Sequence, residues 1–162
     1  MTGWLTPTPE GERVLLRPPA TGDEPALIEM ATDPEVRRYI DGPVDPDTAR
    51  AAQKTATPVW GQFVIVDRIS GDVTGSGSLA RKRGPWEISY QLRRPYWGRG
   101  FAGEAVTLVR DWFFAETDEN LLIATTQLAN TRSRRLLERA AATLVKEFEQ
   151  YGLPQGWYEF RR

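Results

Sequence analysis

The segment whose residue types and spacing most clearly suit a chemical function runs from residue 90 to residue 105, with the letters YQLRRPYWGRGFAGEA. A strand-like segment ends here, and Gly98, Gly100 and Gly103 lead into a segment with helical spacing. The first N–H groups of a helix lack partners within it and lie at the positive end of its dipole, so they favour a phosphate. Glycines let an anion approach the backbone closely because they have no Cβ. The spacing therefore predicts an anion site at residues 98–103, with an ordinary tight turn as the alternative.

The charge of the surrounding residues agrees with this prediction. Residues 81–100 contain one acid, Glu87, and six basic side chains: Arg81, Lys82, Arg83, Arg93, Arg94 and Arg99. The glycines do not form a G-x-x-x-x-G-K-[ST] loop. The hairpin-like strands before them do not fit a dinucleotide fold, which needs a parallel sheet. A solvated face is the other interpretation of this basic window, and RNA binding through stacking and charge is a third.

Composition removes several kinds of chemistry. The 162 residues include no His and no Cys, which excludes a Cys/His zinc site, a thiol nucleophile, a disulfide and a His-containing triad. Proton transfer must then use carboxylates, Tyr, Ser, Lys or water. The 21 basic and 22 acidic residues nearly cancel, which gives no argument for DNA or a membrane as partner. We expect a cytoplasmic protein with no metal and no membrane-spanning helix.

The elements that must position these residues follow from residue spacing and helix-capping residues. Acid-and-proline openings predict short helices at residues 23–30, 33–39 and 45–55. Longer helices are predicted at residues 101–113 and 130–141, and strands at residues 12–17, 60–68, 73–81, 86–92, 121–126, 144–151 and 157–162. The sum is an α+β fold, in which a run of antiparallel strands is interrupted by one long helix. No linker divides the chain, so one domain of residues 1–162 is expected.

Two segments resemble the GNAT family of N-acetyltransferases, and its RimJ/RimL-like branch in particular. The family signature is Gln/Arg-x-x-Gly-x-Gly/Ala, and Gly100 and Ala102 match it while Trp97 stands in the first position. Asn130 and Ser133 form the second match, an Asn-x-x-Ser at the start of a helix. The resemblance implies a mixed, mainly antiparallel sheet of about six to seven strands, splayed at its middle strands and flanked by about four helices.

The same resemblance implies acetyl-CoA as acetyl donor. It assigns binding of that cosubstrate to Tyr90, Gln91, Leu92, Trp97, Gly98, Arg99, Gly100, Phe101, Ala102, Gly103, Glu104, Asn130 and Ser133. It also implies direct transfer to a primary amine without a covalent enzyme intermediate. Family members often form homodimers, so a homodimer is possible here.

Transfer to an amine requires a base, and the first candidate is Glu87, on the strand that leads into the glycine turn. Its alternative role is that of a solvated acid paired with Arg81 or Arg83. Glu147 and Glu149, on a later strand, are the second choice for the base. A lysine amine with a pKa of about 10.4 resists deprotonation at pH 7 by about 4.6 kcal/mol, and an α-amine by only about 1 kcal/mol. An α-amine or another low-pKa amine is therefore favoured as acceptor.

Transfer also requires an oxyanion partner and an acid. The partner would be a backbone N–H near residues 90–92, freed where that strand splays from its neighbour. Many family members have a Tyr near position 137 as the acid, but this chain has Leu137, which leaves Ser133 or Tyr96. The chain also has Ala140, Ala141 and Ala142 where Leu-Gly-Phe is frequent.

The identity of the acceptor is left open by the sequence. Peptide N-termini, free amino acids, polyamines and aminoglycosides all fit a pocket formed by the N-terminal helices and the last hairpin. Two other functions compete with catalysis. One is an acyl-CoA-binding regulator that has lost its catalytic acid, and the other is a binding module associated with RNA or the ribosome.

Overall fold

The computed structural model describes residues 3–162, which form a seven-stranded sheet with four helices. The strands lie in the order β1-β2-β3-β4-β5-β7-β6. Their bounds are β1 Val14–Arg17, β2 Gln62–Asp67, β3 Val73–Arg81, β4 Trp86–Leu92, β5 Leu121–Gln127, β6 Thr143–Gln150 and β7 Leu153–Arg161. The helices are α1 Glu24–Thr32, α2 Pro46–Thr55, α3 Phe101–Glu116 and α4 Thr131–Arg139, with a short 3₁₀ turn at Arg94–Tyr96. The expected α+β architecture is confirmed.

The two faces of the sheet have different coverings. Phe63 and Ile65 of β2 point into the main core, where α3 packs against β1, β2 and β4. Val64 and Val66 alternate with them and are buried on the opposite face, where α1 packs on β3 and on α2. The same alternation sends one set of β4 side chains towards α3 and the other set, which includes Glu87, towards α1.

The sheet is splayed between β4 and β5. These neighbours run parallel and share a single register pair, Glu87 with Ile123, whereas β3 and β4 share seven. All other neighbouring strands are antiparallel. Beyond Glu87 the two strands diverge, which leaves backbone groups of β4 without a strand partner on that side.

The structure corrects two predicted elements. Residues 34–41 form successive turns in place of the predicted helix at 33–39, and the segment ends with positive φ at Asp41 (57°) and Gly42 (73°). The last strand begins at Leu153, four residues earlier than predicted, after a tight turn at Tyr151 and Gly152 with φ of 54° and 72°. Two consecutive positive φ values are typical of a type I′ hairpin turn.

Candidate active site

A cleft of about 1540 Å³ passes through the gap between β4 and β5. On one side of the sheet it is bounded by the first turns of α3 and α4. On the other side it is bounded by residues 35–41, by the loop before β4 and by the tip of the β6–β7 hairpin. The cleft therefore connects the predicted anion site to the side of the sheet that carries Glu87.

The first turn of α3 is open at its N-terminus. Gly98 and Gly100 have positive φ values of 73° and 83°, and Gly100 precedes the helix without a side-chain cap. Within residues 3–162 the N–H groups of Phe101, Ala102 and Gly103 have no acceptor. Three N–H groups without acceptors lie at the positive end of a 16-residue helix, which is the kind of arrangement that can bind an anion.

Side chains around this turn have structural roles. Phe101 is 3% exposed and belongs to the core, so only its backbone faces the cleft. The Arg99 guanidinium lies over the rings of Tyr96 and Phe101, at 5.4 Å and 5.1 Å from their centroids, outside the cleft lining. Trp97 donates from Nε1 to the carbonyl of Leu92 at 2.8 Å. Trp97 thus fixes the turn to the end of β4.

Glu104 was predicted to contact the cosubstrate, but its carboxylate is already bonded to β1. Oε1 accepts from the backbone N–H groups of Arg13 (2.8 Å) and Val14 (3.1 Å), and Oε2 lies 3.6 Å from the Arg13 guanidinium. The Glu104 N–H is bonded to the carbonyl of Gly100. Glu104 lines the cleft and also holds α3 against β1 through these bonds.

The first turn of α4 is capped, in contrast to α3. Asn130 Oδ1 accepts from the backbone N–H of Ser133 at 3.2 Å, so the Asn-x-x-Ser motif closes its own helix start. The Ser133 hydroxyl lies 2.7 Å from the Tyr90 hydroxyl, and both residues line the cleft. Burial raises the pKa of Tyr90 to about 12, although the bond to Ser133 acts in the opposite direction. Tyr90 is therefore a neutral hydroxyl at physiological pH.

Tyr96, the other predicted acid, is not at the cleft. Its hydroxyl donates to Asp72 Oδ2 at 3.0 Å, and burial followed by this bond raises the pKa of Tyr96. The prediction that Tyr96 could serve as acid is therefore wrong. Leu137 is 1% exposed and packs in the main core, so that position offers no proton donor.

Backbone groups of β4 face the gap. The Arg93 N–H donates to Thr74 of β3 at 2.7 Å, so alternate residues, Tyr90 and Leu92, direct their backbone groups towards β5. The Leu92 carbonyl accordingly accepts from Trp97 on that side. The Tyr90 N–H then faces the part of the cleft where β5 has diverged.

Glu87 is buried at this gap with both carboxylate oxygens bonded. It is 3% exposed, and it accepts from Arg83 Nη1 at 3.0 Å and from Thr125 Oγ1 at 2.8 Å. Arg83 also donates to Gln150 of β6 at 2.5 Å, which connects the two halves of the splayed sheet. The expected pairing with Arg83 is present, but the acid is buried, not solvated.

The second-choice bases do not reach the cleft. Glu147 and Glu149 are exposed on β6, the strand at the edge of the sheet, and neither lines the cleft. Glu87 is the acid of the three that the fold brings to the gap. The structure thus does not bring Glu147 or Glu149 to the gap.

Gln91 also differs from its prediction as a cosubstrate ligand. Its side chain points to the α1 face, where Nε2 donates to the Ser76 hydroxyl at 3.1 Å. Its Oε1 is shielded from solvent and has no donor among residues 3–162. The Gln91 side chain therefore lies on the α1 face of the sheet, away from the start of α3.

The basic window is largely neutralised within the molecule. Four of its six cations form ion pairs: Arg81 with Glu119, Arg83 with Glu87, Arg93 with Glu29 and Arg94 with Asp33. Hydrogen bonds from Arg94 hold the pKa of Asp33 below its usual value. Much of the positive charge of this window is therefore paired with acids of the same chain.

Two further features of residues 3–162 bear on function. No helix in that part of the chain is both long and apolar enough to cross a bilayer. The described residues also contain no cluster of three or more acids that could hold a metal ion.

Two contacts at the site were missed by sequence reasoning. The pair between Tyr90 and Ser133 joins residues 43 positions apart, and the bond from Thr125 to Glu87 joins residues 38 apart. The only sequence signal for either was the alternation of β4, which sets the face of each residue but not its partner.

Comparison with known proteins identifies the class to which this fold belongs. The model of the acetyltransferase (GNAT) domain family matches residues 13–143, and the chain belongs to that family. It is therefore an acyltransferase.

Individual proteins similar to this chain are also named as acetyltransferases. A Bacillus licheniformis protein named as an uncharacterized N-acetyltransferase p20 is 31% identical over 152 residues, which cover 86% of this chain and 85% of that protein. The crystal structure of a GNAT-family acetyltransferase from Bacillus anthracis superposes with a TM-score of 0.85 at 22% identity, over 95% and 98% of the two chains. A Salmonella typhimurium acetyltransferase, described as modifying the N-terminal serine of ribosomal protein L7/L12, gives a TM-score of 0.74 at 14% identity, over 94% and 96%. These two structures show a shared fold.

Proposed function

We propose that this chain transfers the acetyl group of acetyl-CoA directly to a primary amine, as a single domain of the RimJ/RimL-like kind. The observation that carries the proposal is the open start of α3, whose free N–H groups face a cleft that continues through the gap between β4 and β5. If the pyrophosphate of acetyl-CoA bound at this end of the cleft, the thioester of the same molecule would lie in the gap, next to Glu87. The resemblance of the glycine turn to the family signature supports the same assignment.

The residues at α3 fit the pyrophosphate of coenzyme A. The N–H groups of Phe101, Ala102 and Gly103 would bind it, and Gly98 and Gly100 leave the backbone unobstructed. When bound, acetyl-CoA supplies the activated acetyl group. The Tyr90 N–H would donate a hydrogen bond to the carbonyl oxygen of that group.

Glu87 is the proposed base. Arg83 donates to one carboxylate oxygen and Thr125 to the other. Because a carboxylate can accept about four hydrogen bonds, a water can also bind. Through such a water, Glu87 would take the proton from the attacking amine. Arg83 and Thr125 position the carboxylate and are not themselves proton acceptors.

Ser133 is the proposed acid. Its hydroxyl would donate a proton to the leaving thiolate, the neutral Tyr90 hydroxyl 2.7 Å away would pass its proton to Ser133 Oγ, and water in the cleft would reprotonate Tyr90. This arrangement would replace the tyrosine that many family members have near position 137.

Thiol release from acetyl-CoA over a panel of amines tests the proposal. We expect Glu87→Gln to lower kcat by about 100-fold and Ser133→Ala by about 10-fold, with little change in acetyl-CoA affinity. Glu149→Gln, a matched change on the edge strand, should leave turnover unchanged. Normal turnover in Glu87→Gln would remove Glu87 as base. Acetyl-CoA binding without thiol release for any amine would instead support the acyl-CoA-binding regulator.

A further inference from the structure

A second cavity of about 650 Å³ lies on the α1 face of the sheet. Residues of α1, the turn at 34–41 and the end of α2 form one wall, and β3 and β4 form the other. It shares Lys82, Ser89, Tyr90 and Gln91 with the main cleft. An amine in the gap could therefore extend the rest of its molecule into this cavity.

The floor of the second cavity is polar and uncharged. Ser76 of β3 lies opposite Gln91 of β4, and Ser78 lies opposite Ser89. Hydroxyl and amide groups thus occupy a sheet face that is apolar under most helices. Such groups hydrogen-bond a polar ligand, and they do not favour an alkyl chain.

The charged residues around the floor are mainly cationic. Three charged side chains line the cavity: Glu24, Arg37 and Lys82. Glu24 accepts from the Gly22 N–H at 2.8 Å. Neither cation has a carboxylate within ion-pair distance among residues 3–162. The cavity therefore has an excess of positive charge without an internal partner.

Each cation is nevertheless held in place. Arg37 is half-buried, and its Nε donates to the Gly42 carbonyl at 3.0 Å, which leaves the two terminal nitrogens of the guanidinium for a ligand. The Lys82 ammonium donates to the Ser89 hydroxyl at 3.0 Å, directly above the floor. A guanidinium fork and an ammonium that line one cavity are groups that bind carboxylates and phosphates.

We propose that this cavity binds an anionic group of the acceptor, so that the substrate is a primary amine bearing a carboxylate or a phosphate. This inference rests on the proposed acetyl transfer at the gap. Arg37 and Lys82 would bind the anion, and the serine hydroxyls would complete its hydrogen bonds. Polyamines and aminoglycosides are disfavoured, because a second ammonium would meet two cations and only one carboxylate in this cavity.

Matched acceptors test the charge requirement. Glycine, β-alanine and 4-aminobutanoate would each be compared with the corresponding amide, and 2-aminoethyl phosphate with 2-aminoethanol. After correction for the neutral fraction of each amine, we expect at least one anionic acceptor to exceed its uncharged counterpart by about tenfold or more in kcat/KM. The two arms of the panel distinguish a carboxylate from a phosphate. Spermidine should be a poor acceptor.

Variants show whether Arg37 and Lys82 cause the preference. Arg37→Gln and Lys82→Gln should each raise KM for the anionic acceptor by about tenfold or more and change kcat/KM for its uncharged counterpart by less than about threefold. The ratio between the two acceptors cancels differences in amine basicity. Arg37→Lys should restore part of the preference. Arg50→Gln and Lys54→Gln, on the outer part of α2, remove matched charges outside both cavities and should have no effect.

Thermal stabilisation by each acceptor in the presence of coenzyme A provides a readout that needs no turnover. The inference is overturned if anionic and uncharged acceptors behave alike in both assays, or if Arg37→Gln weakens them equally, as a purely structural role would. Failure of the acetyl-transfer proposal looks different: acetyl-CoA would not bind or release thiol, while the anionic amines would still stabilise the wild type more than Arg37→Gln.

Discussion

The two helices that border the cleft begin in opposite ways. The start of α3 has glycines in left-handed conformation, and within the described residues 3–162 it has no side-chain cap and three N–H groups without an acceptor. The start of α4 has Asn130, whose side chain accepts from the Ser133 N–H at 3.2 Å. One helix start is therefore available to an external anion, and the other has been closed by its own sequence.

The two family motifs therefore have different roles in this chain: the glycine turn offers backbone donors to a ligand, and the Asn-x-x-Ser motif stabilises a helix start. The glycine turn is the proposed binding site, because its backbone donors have no acceptor among residues 3–162. The Asn-x-x-Ser motif is a cap that fixes the first turn of α4, and it thereby holds the Ser133 hydroxyl against Tyr90. A substitution at the start of α3 should therefore change cosubstrate affinity, and a substitution at the start of α4 should change folding stability.

The largest expected effect comes from closing the start of α3. Gly100→Asp would place a carboxylate beside the free N–H groups, where it would compete with a phosphate and repel it. We expect acetyl-CoA affinity, measured by titration calorimetry, to fall by about 100-fold, which is about 2.7 kcal/mol.

Gly71→Asp is the matched control for this variant. Gly71 has a φ of 80°, close to the 83° of Gly100, and open space around its Cβ position, but it lies in the β2–β3 turn. Both variants should lose about 1 kcal/mol of folding stability, since both place a side chain at positive φ. Equal acetyl-CoA affinities in the two variants would show that the start of α3 is not the binding site.

A smaller effect is expected from opening the start of α4. Asn130→Ala removes the cap and should lower the free energy of unfolding by about 1 kcal/mol, measured by urea denaturation. Acetyl-CoA affinity should change by less than about threefold, because Asn130 acts on its own helix.

Asp45→Ala is the corresponding control. Asp45 caps α2 by accepting from the Thr48 N–H at 3.1 Å, outside the main cleft. The Asp45→Ala substitution should lower the free energy of unfolding by a similar amount and leave acetyl-CoA affinity unchanged. If Asn130→Ala weakened acetyl-CoA by about tenfold at a stability equal to that of Asp45→Ala, Asn130 would have to be a direct ligand of the cosubstrate.

Elements with strong periodicity were predictable from the sequence. The strict alternation at residues 86–92 set the faces of β4 correctly, and the three- and four-residue spacing after Gly100 located α3. Both patterns reflect local geometry that burial then reinforces. The open start of α3 was predictable for the same reason, because the glycines that produce it are adjacent in the chain.

Features that depend on distant partners were not predictable. The segment after Asp33 opens as its sequence indicates, with Asp33 accepting from the Glu35 N–H at 2.9 Å, but positive φ at Asp41 and Gly42 ends it as successive turns. Pro154 indicated a loop, yet it lies within β7, one residue beyond the last pair with β5, where its missing N–H has no strand partner to lose. Local composition alone contains neither fact.

The central claim is that backbone amides at the start of α3 bind the pyrophosphate of the cosubstrate. Amide ¹H–¹⁵N spectra of the labelled chain, titrated with coenzyme A and with pantetheine, which lacks the pyrophosphate, test it most directly. We predict that the amide signals of Phe101, Ala102 and Gly103 shift strongly downfield with coenzyme A and not with pantetheine, while the capped Ser133 amide shifts far less. Saturation with coenzyme A that leaves those three signals in place, or identical shifts with pantetheine, would contradict the claim.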